Sequence, residues 1–230
     1  MSLPSPDCPV CLGEGGWIDC VAEQSVLCYL CHPDHYQAAA PKVRTDQRWI
    51  DMPKLPCRYF GPLRPTPPWL LVIHSGAGPG NIARFFATTG YVVRKRDGKQ
   101  IKVSAHVSYD KSRGAYTQGI PLDRVGWHCG GSRIYVERLR RVWPDCPVKD
   151  EQMGKLNFCS FGIEMQGPAG RRFQSRDHDG VVGVAKELVA RYPSLKIATT
   201  HMVIDPLRKR DPGKQLDLSC FRDAGLIPYR

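Results

Sequence analysis

The chain predicts an α/β protein: a mixed central β-sheet flanked by helices, with a small zinc-ribbon-like module in front of it. Three observations carry that reading. Apolar strands alternate with helical patterns from Trp69 onward, which is how a sheet with helices packed on it is written in sequence. Cysteines concentrate at the start, where residues 1–40 hold half of the ten. Between these regions lie six prolines from Pro53 to Pro68. We therefore divide the chain into a module at 1–40, a Pro-rich linker at 41–68 and a main domain at 69–230.

The 230 residues suffice for one good-sized domain plus a module. The formal net charge of +11 suits a polyanionic partner: nucleic acid, an anionic membrane surface or an acidic wall polymer. It also suits simple solubility. No stretch approaches the ~20 apolar residues that span a bilayer. The opening "MSLPSPDCPVC" has neither a basic n-region nor an apolar h-region, so the expected place of synthesis and retention is the cytoplasm. In a reducing compartment, paired cysteines point to metal before disulfides.

In the module, Cys8 and Cys11 form one CxxC and Cys28 and Cys31 a second. Two such knuckles at this spacing give tetrahedral sulfur ligation of a structural zinc. So short a segment buries too little core to fold alone, and the metal supplies the deficit. His32 and His35 are weaker alternative ligands. "CPVCLGEGG" also resembles a single copy of the repeat in the cysteine-rich module of DnaJ-type chaperones. The stretch ending "GPLRPTPPW" reads as an extended link or an edge-hugging arm, because proline fixes φ and donates no hydrogen bond.

The main-domain elements follow in order. "WLLVIH" (69–74) is apolar on both faces, as a central buried strand is. "NIARFFATTG" (81–90) predicts a short helix closed by Gly90. "YVVRKRDGKQIKVSAHVSYD" (91–110) predicts strands with a hairpin turn at Asp97-Gly98. "RIYVERLRRVW" (133–143) suits a helix. "NFCSFGIEMQG" (157–167) predicts a strand with Phe161, Ile163 and Met165 on one face and Gly162, Glu164 and Gln166 on the other. "DHDGVVGVAKELVARYP" (177–193) predicts an amphipathic helix stopped before Pro193. "KIATTHMVI" (196–204) predicts a further strand containing His201.

His74 at a strand end, His201 in a strand and Asp211 in the loop "DPLRKRDPG" are each ambiguous alone. A strand histidine is commonly a core residue, and an Asp before Pro-Gly is commonly a turn. Taken together, "LLVIH", "SFGIE" and the terminal His with "RKRDPG" resemble the zinc-dependent N-acetylmuramoyl-L-alanine amidases of the phage-lysozyme and peptidoglycan-recognition superfamily. "VSAH" (103–106) and "GWHCGGS" (126–132) match in the same order. The likeness covers roughly residues 69–225 and is nearest to the branch of cytosolic muropeptide amidases.

This resemblance implies roles residue by residue. His74, His201 and Asp211 would ligate a catalytic zinc, with Asp211 where the lysozyme-like branch has a cysteine. Glu164 would be the general base and Lys209 the oxyanion cation. Ala105 stands where the lysozyme-like branch has a catalytic tyrosine, which removes that role. Trp127 and His128 read as cleft wall or sugar contact, or as plain packing. His106 reads as core or as support for a ligand. Cys129 beside His128 makes a poor peptidase dyad, because sequence neighbours rarely converge in space. "HSGAGPGN" has the wrong glycine spacing for a dinucleotide loop.

The implied function is a peptidoglycan hydrolase with two zinc ions, acting on peptidoglycan or muropeptides, and a phage-type endolysin is the first reading. A cytosolic muropeptide-recycling amidase is the alternative. A zinc-ribbon nucleic-acid-binding protein is the alternative from another class. It leaves the order of His74, Glu164, His201 and Asp211 unexplained.

Overall fold

A computed structural model of the chain describes residues 17–18, 26–27, 53–76, 81–110, 115–130, 133–142, 146, 155–167, 173–213 and 216–229. Its backbone falls into two compact units, Met1–Lys42 and Val43–Arg230. In the first unit, β1 (Trp17–Ile18) pairs antiparallel with β2 (Val26–Leu27), in the sequence between the two CxxC pairs. Cys8, Cys11, Cys28 and Cys31 lie outside the described residues.

The second unit is built on a six-stranded sheet. Its strands are β3 (Leu70–Gly76), β6 (Val107–Asp110), β7 (Ala115–Gln118), β8 (Ser160–Gln166), β9 (Ile197–Thr200) and β10 (Ile227–Pro228). In space the order is β10-β9-β3-β8-β6-β7. All neighbours are parallel except β6 and β7, so the sheet is mixed. A separate hairpin, β4 (Tyr91–Val93) with β5 (Gln100–Lys102), turns at Asp97-Gly98.

Strand β3 is buried along its whole length, which is what a run apolar on both faces requires. Leu71 and Ile73 enter one core with Phe161, Ile163 and Met165 of β8 and Val181, Val184 and Leu188 of α3 (Ser175–Arg191). Leu70 and Val72 enter the opposite core, with Tyr135, Val136 and Leu139 of α2 (Arg133–Val142). Full burial of each Leu or Ile contributes about 1.5–3 kcal/mol, so the sheet is clamped from both sides.

Local signals set the helix ends. In α1 (Ile82–Thr88) the Asn81 side chain accepts from the backbone N–H of Arg84 at 3.0 Å. In α3, Gln174 and Asp177 form a reciprocal capping box. Gly180 lets α3 settle on the sheet: a Cβ there would lie 2.1 Å from the Tyr116 hydroxyl.

One open alternative is resolved and one expectation changes. Residues 53–68 take the arm alternative and lie against the main domain. Leu55 and Cys57 donate to the carbonyls of Gln118 and Gly119 at 3.0 and 2.8 Å, and Gly61 to that of Val125 at 2.7 Å. The expected strand over 196–204 ends at Thr200. The Thr200 side chain accepts from the N–H of Val203 and starts a helical turn, α4 (His201–Ile204). His201 is thus the first residue of that turn. Among the described residues no helix is long and apolar enough to cross a membrane.

Candidate metal centre and its supporting residues

Three adjacent parallel strands bring the site together near their C-terminal ends: His74 and Glu164 lie two residues before the ends of β3 and β8, and His201 directly follows β9. His74 of β3 is the register partner of Glu164 of β8. Ile73 is the partner of Thr200 on β9, which puts His201 level with His74. Glu164 shares the β8 face of Gly162, opposite the core face of Ile163 and Met165, as the alternation predicts. The crevice beyond the C-terminal ends of parallel strands is where open α/β sheets bind ligands.

Asp211 reaches the same place from the loop after α4. The turn is closed by Lys209 N–H donating to the Asp205 carbonyl at 2.9 Å. The Asp211 carbonyl accepts from Met202 N–H at 2.9 Å, so the loop is tied back to α4. The Asp211-Pro212 peptide bond is cis.

The three side chains converge on a small triangle. His74 Nδ1 and His201 Nδ1 are 3.0 Å apart. Asp211 Oδ2 is 3.1 Å from His201 Nδ1 and 3.4 Å from His74 Nδ1. Ligands ~2.0–2.1 Å from a tetrahedral zinc stand ~3.3 Å apart, so this donor set fits one face of such a site and leaves a fourth position open. Two ring nitrogens facing each other at 3.0 Å also need a shared cation or proton between them. His74 and His201 are only 2% and 5% exposed.

The electrostatics agree with a cation site. Burial, and then the neighbouring His74 ring, hold His201 down at about 4. Burial alone would raise Asp211, but its bonds to His201 and His74 hold the carboxyl well below the usual carboxylate range. Burial, with Asp211 second, raises Glu164 well above that range, while the Lys209 ammonium acts in the opposite sense. Lys209 also acts on His201, so its charge is felt by both.

His128 lies behind His74. Its Nδ1 is 3.1 Å from His74 Nε2, and its Nε2 is 3.1 Å from Ser160 Oγ. Ser160 Oγ in turn donates to the Leu156 carbonyl at 2.6 Å. Both nitrogens of His128 thus have protein partners. The Trp127 ring is partly exposed and edge-on to Phe158 at 6.4 Å, and the Trp127 backbone N–H donates to Ser104 Oγ at 3.0 Å. His106 is fully buried and held down at about 3 by burial and by Arg64. Its Nδ1 accepts from Gly162 N–H at 3.1 Å. Burial pushes the Cys129 thiol up and out of the nucleophilic range.

Sequence reasoning missed Arg64 and Ser160. Arg64 Nη1 donates to the carbonyls of Phe158 and Ser160 at 3.1 and 3.0 Å, and Nη2 to that of Arg124 at 3.0 Å. Its guanidinium lies 4.8 Å from the Phe161 ring centre. An arginine amid prolines carries no local signal of such burial.

Comparison with known proteins places this architecture. The 1,6-anhydro-N-acetylmuramyl-L-alanine amidase AmpD of Enterobacter cloacae is 27% identical over 155 residues, 67% of this chain and 69% of that one. A crystal structure of a Se-Met AmpD derivative superposes with a TM-score of 0.57 at 26% identity, covering 75% of this chain and 93% of that one. The endolysin N-acetylmuramoyl-L-alanine amidase LysCS from Clostridium intestinale URNW shares the fold, with a TM-score of 0.51 at 15% identity over 76% of this chain and 96% of that one. Residues 64–214, which contain every member of the triangle together with Glu164, match the type-2 amidase family, and the chain belongs to that family of N-acetylmuramoyl-L-alanine amidases.

Proposed function

We propose that the chain is a zinc-dependent N-acetylmuramoyl-L-alanine amidase working as a phage-type endolysin. It hydrolyses the amide between the lactyl group of N-acetylmuramic acid and L-alanine of the stem peptide. The observation that carries this reading is the triangle of His74 Nδ1, His201 Nδ1 and Asp211 Oδ2, with Glu164 next to it on the neighbouring strand.

In this reading His74, His201 and Asp211 hold the zinc, which supplies a water of lowered pKa and polarises the carbonyl. Glu164 takes the proton of the attacking water and delivers it to the departing amine of L-alanine. Its raised proton affinity suits both halves of that transfer, since a carboxylate of ordinary pKa returns a proton poorly near neutrality. The Lys209 ammonium offsets the negative charge that develops on the carbonyl oxygen. Trp127 forms part of the wall beside the substrate. Cys8, Cys11, Cys28 and Cys31 hold a second, structural zinc, a reading supported by their spacing.

The endolysin role is supported by the net charge of +11 and by the cysteine-rich segment that precedes the matched region. The protein is then made in the cytoplasm and meets the wall after release. A second reading, recycling of soluble muropeptides, is favoured by the 27% identical relative whose name specifies a 1,6-anhydro substrate. The two are separated by comparing kcat/KM on purified sacculi with that on 1,6-anhydro-muropeptide. An endolysin releases stem peptides with new L-alanine amino termini from sacculi. Activity confined to the soluble 1,6-anhydro compound assigns recycling. New reducing sugar ends, or no cleavage of either substrate, overturn the amidase reading.

A further inference from the structure

We infer that His128 is a positioning residue for the metal centre: it fixes the tautomer of His74 through a one-way hydrogen-bond chain and so sets how tightly zinc is held. This rests on the reading of His74, His201 and Asp211 as the zinc site.

The direction of the chain follows from its far end. The Leu156 carbonyl can only accept, so Ser160 Oγ–H donates to it, at 2.6 Å. The serine oxygen is then free to accept from His128 Nε2–H at 3.1 Å. That leaves His128 Nδ1 unprotonated, and it accepts from His74 Nε2–H at 3.1 Å. With its proton on Nε2, His74 presents a bare Nδ1 to the triangle, 3.0 Å from His201 Nδ1. Reversing any one link would set two donors, or two acceptors, against each other. A ligating histidine whose second N–H is engaged by an acceptor is better oriented and more basic at the ligating nitrogen.

Other groups in the fold hold His128 for this task. Asn157 Oδ1 accepts from the backbone N–H groups of His128 and Cys129 at 3.1 and 3.0 Å, which fixes the loop. The imidazole lies on the backbone of Gly162: a Cβ at that position would meet His128 Cγ at 2.6 Å and Nδ1 at 2.8 Å. Gly162 is therefore the floor on which the ring rests. The absence of a side chain there is a requirement of the ring and not of the strand, since no positive φ is recorded at Gly162.

The test is zinc affinity of the full chain, measured by competition with a chromophoric chelator and backed by the visible spectrum of the cobalt-substituted protein. His128→Phe keeps a flat ring but removes the acceptor, and should bind the catalytic zinc about 10- to 100-fold more weakly. In His128→Gln, Oε1 can accept from His74 Nε2–H, and affinity should recover to within about three-fold of wild type. Gly162→Ala leaves every polar group in place but lifts the ring, and should weaken binding in the same direction as His128→Phe with an altered cobalt spectrum. Unchanged affinity in both His128→Phe and Gly162→Ala overturns the inference. So does equal weakening in the Phe and Gln variants, which assigns mere packing. Should His128→Phe not fold, unchanged affinity in Gly162→Ala, or a loss in His128→Gln as large as that in Gly162→Ala, overturns the inference. A wild-type chain whose zinc content does not change on His201→Ala removes the underlying metal site as well, and so separates the two failures.

Discussion

His74 and Glu164 are register partners on adjacent parallel strands. The ladder that pairs β3 with β8 therefore fixes the distance between a candidate ligand and the candidate base. Neither position depends on a loop. Catalytic groups set on strands are placed more firmly than groups on loops, and loops here supply only Asp211 and Lys209.

Removing Asp211 or His201 should empty the catalytic site. Elemental analysis of His201→Ala and Asp211→Ala, purified without chelator, should show one zinc fewer per chain than wild type, with near-native circular dichroism.

Glu164→Gln should keep that zinc and lose activity by about 10²–10⁴-fold, because the amide cannot take a proton from water. Lys209→Ala should lower kcat by about 10²–10³-fold, as expected when a donor to a developing oxyanion is lost. The check is steady-state release of L-alanine amino termini, with zinc content measured on the same samples.

The base should also cost stability in the metal-free protein. Burial, then Asp211, raise Glu164 in the folded state. A carboxyl raised on folding binds more protons when native than when unfolded, so stability falls as pH rises from about 4 through the folded-state value. Glu164→Gln cannot ionise. In chelator its Tm should therefore exceed that of wild type at pH 7.5, and the gain should shrink as pH approaches 4. Thermal melts across that range provide the measurement.

Arg64 should matter for stability far more than a residue of a linker would. Arg64→Ala strands the carbonyls of Phe158 and Ser160, leaves that of Arg124 to His106 Nε2 alone and uncovers Phe161. The expected loss is about 2–4 kcal/mol, read as a lowered Tm of the main unit.

Much of the site was legible because its carriers are regular strands. "WLLVIH" announces a strand buried on both faces, and the alternation in "SFGIEMQ" puts Glu164 on the face away from Ile163. Less regular pieces were not. His201 looked like part of a strand because "KIATTHMVI" is rich in β-branched residues. The hydroxyl of Thr200, a capping group, ends that strand just before His201. His128 read as cleft wall, sugar contact or plain packing because its partners, His74 and Ser160, are remote in sequence. Arg64 lay hidden among prolines, whose stiffness suits an arm as well as a link.

The sheet also has margins, and both are blunted. β10 is two residues long and ends in Pro228, which has no N–H to offer a further strand. At the other margin, the Pro53 carbonyl accepts from Gln118 N–H, and Leu55 N–H donates to the Gln118 carbonyl, covering the end of β7. Open strand edges template self-association. A truncation that begins after the arm from Pro53 should therefore bare the Gln118 end of β7 and raise the tendency of the chain to self-associate.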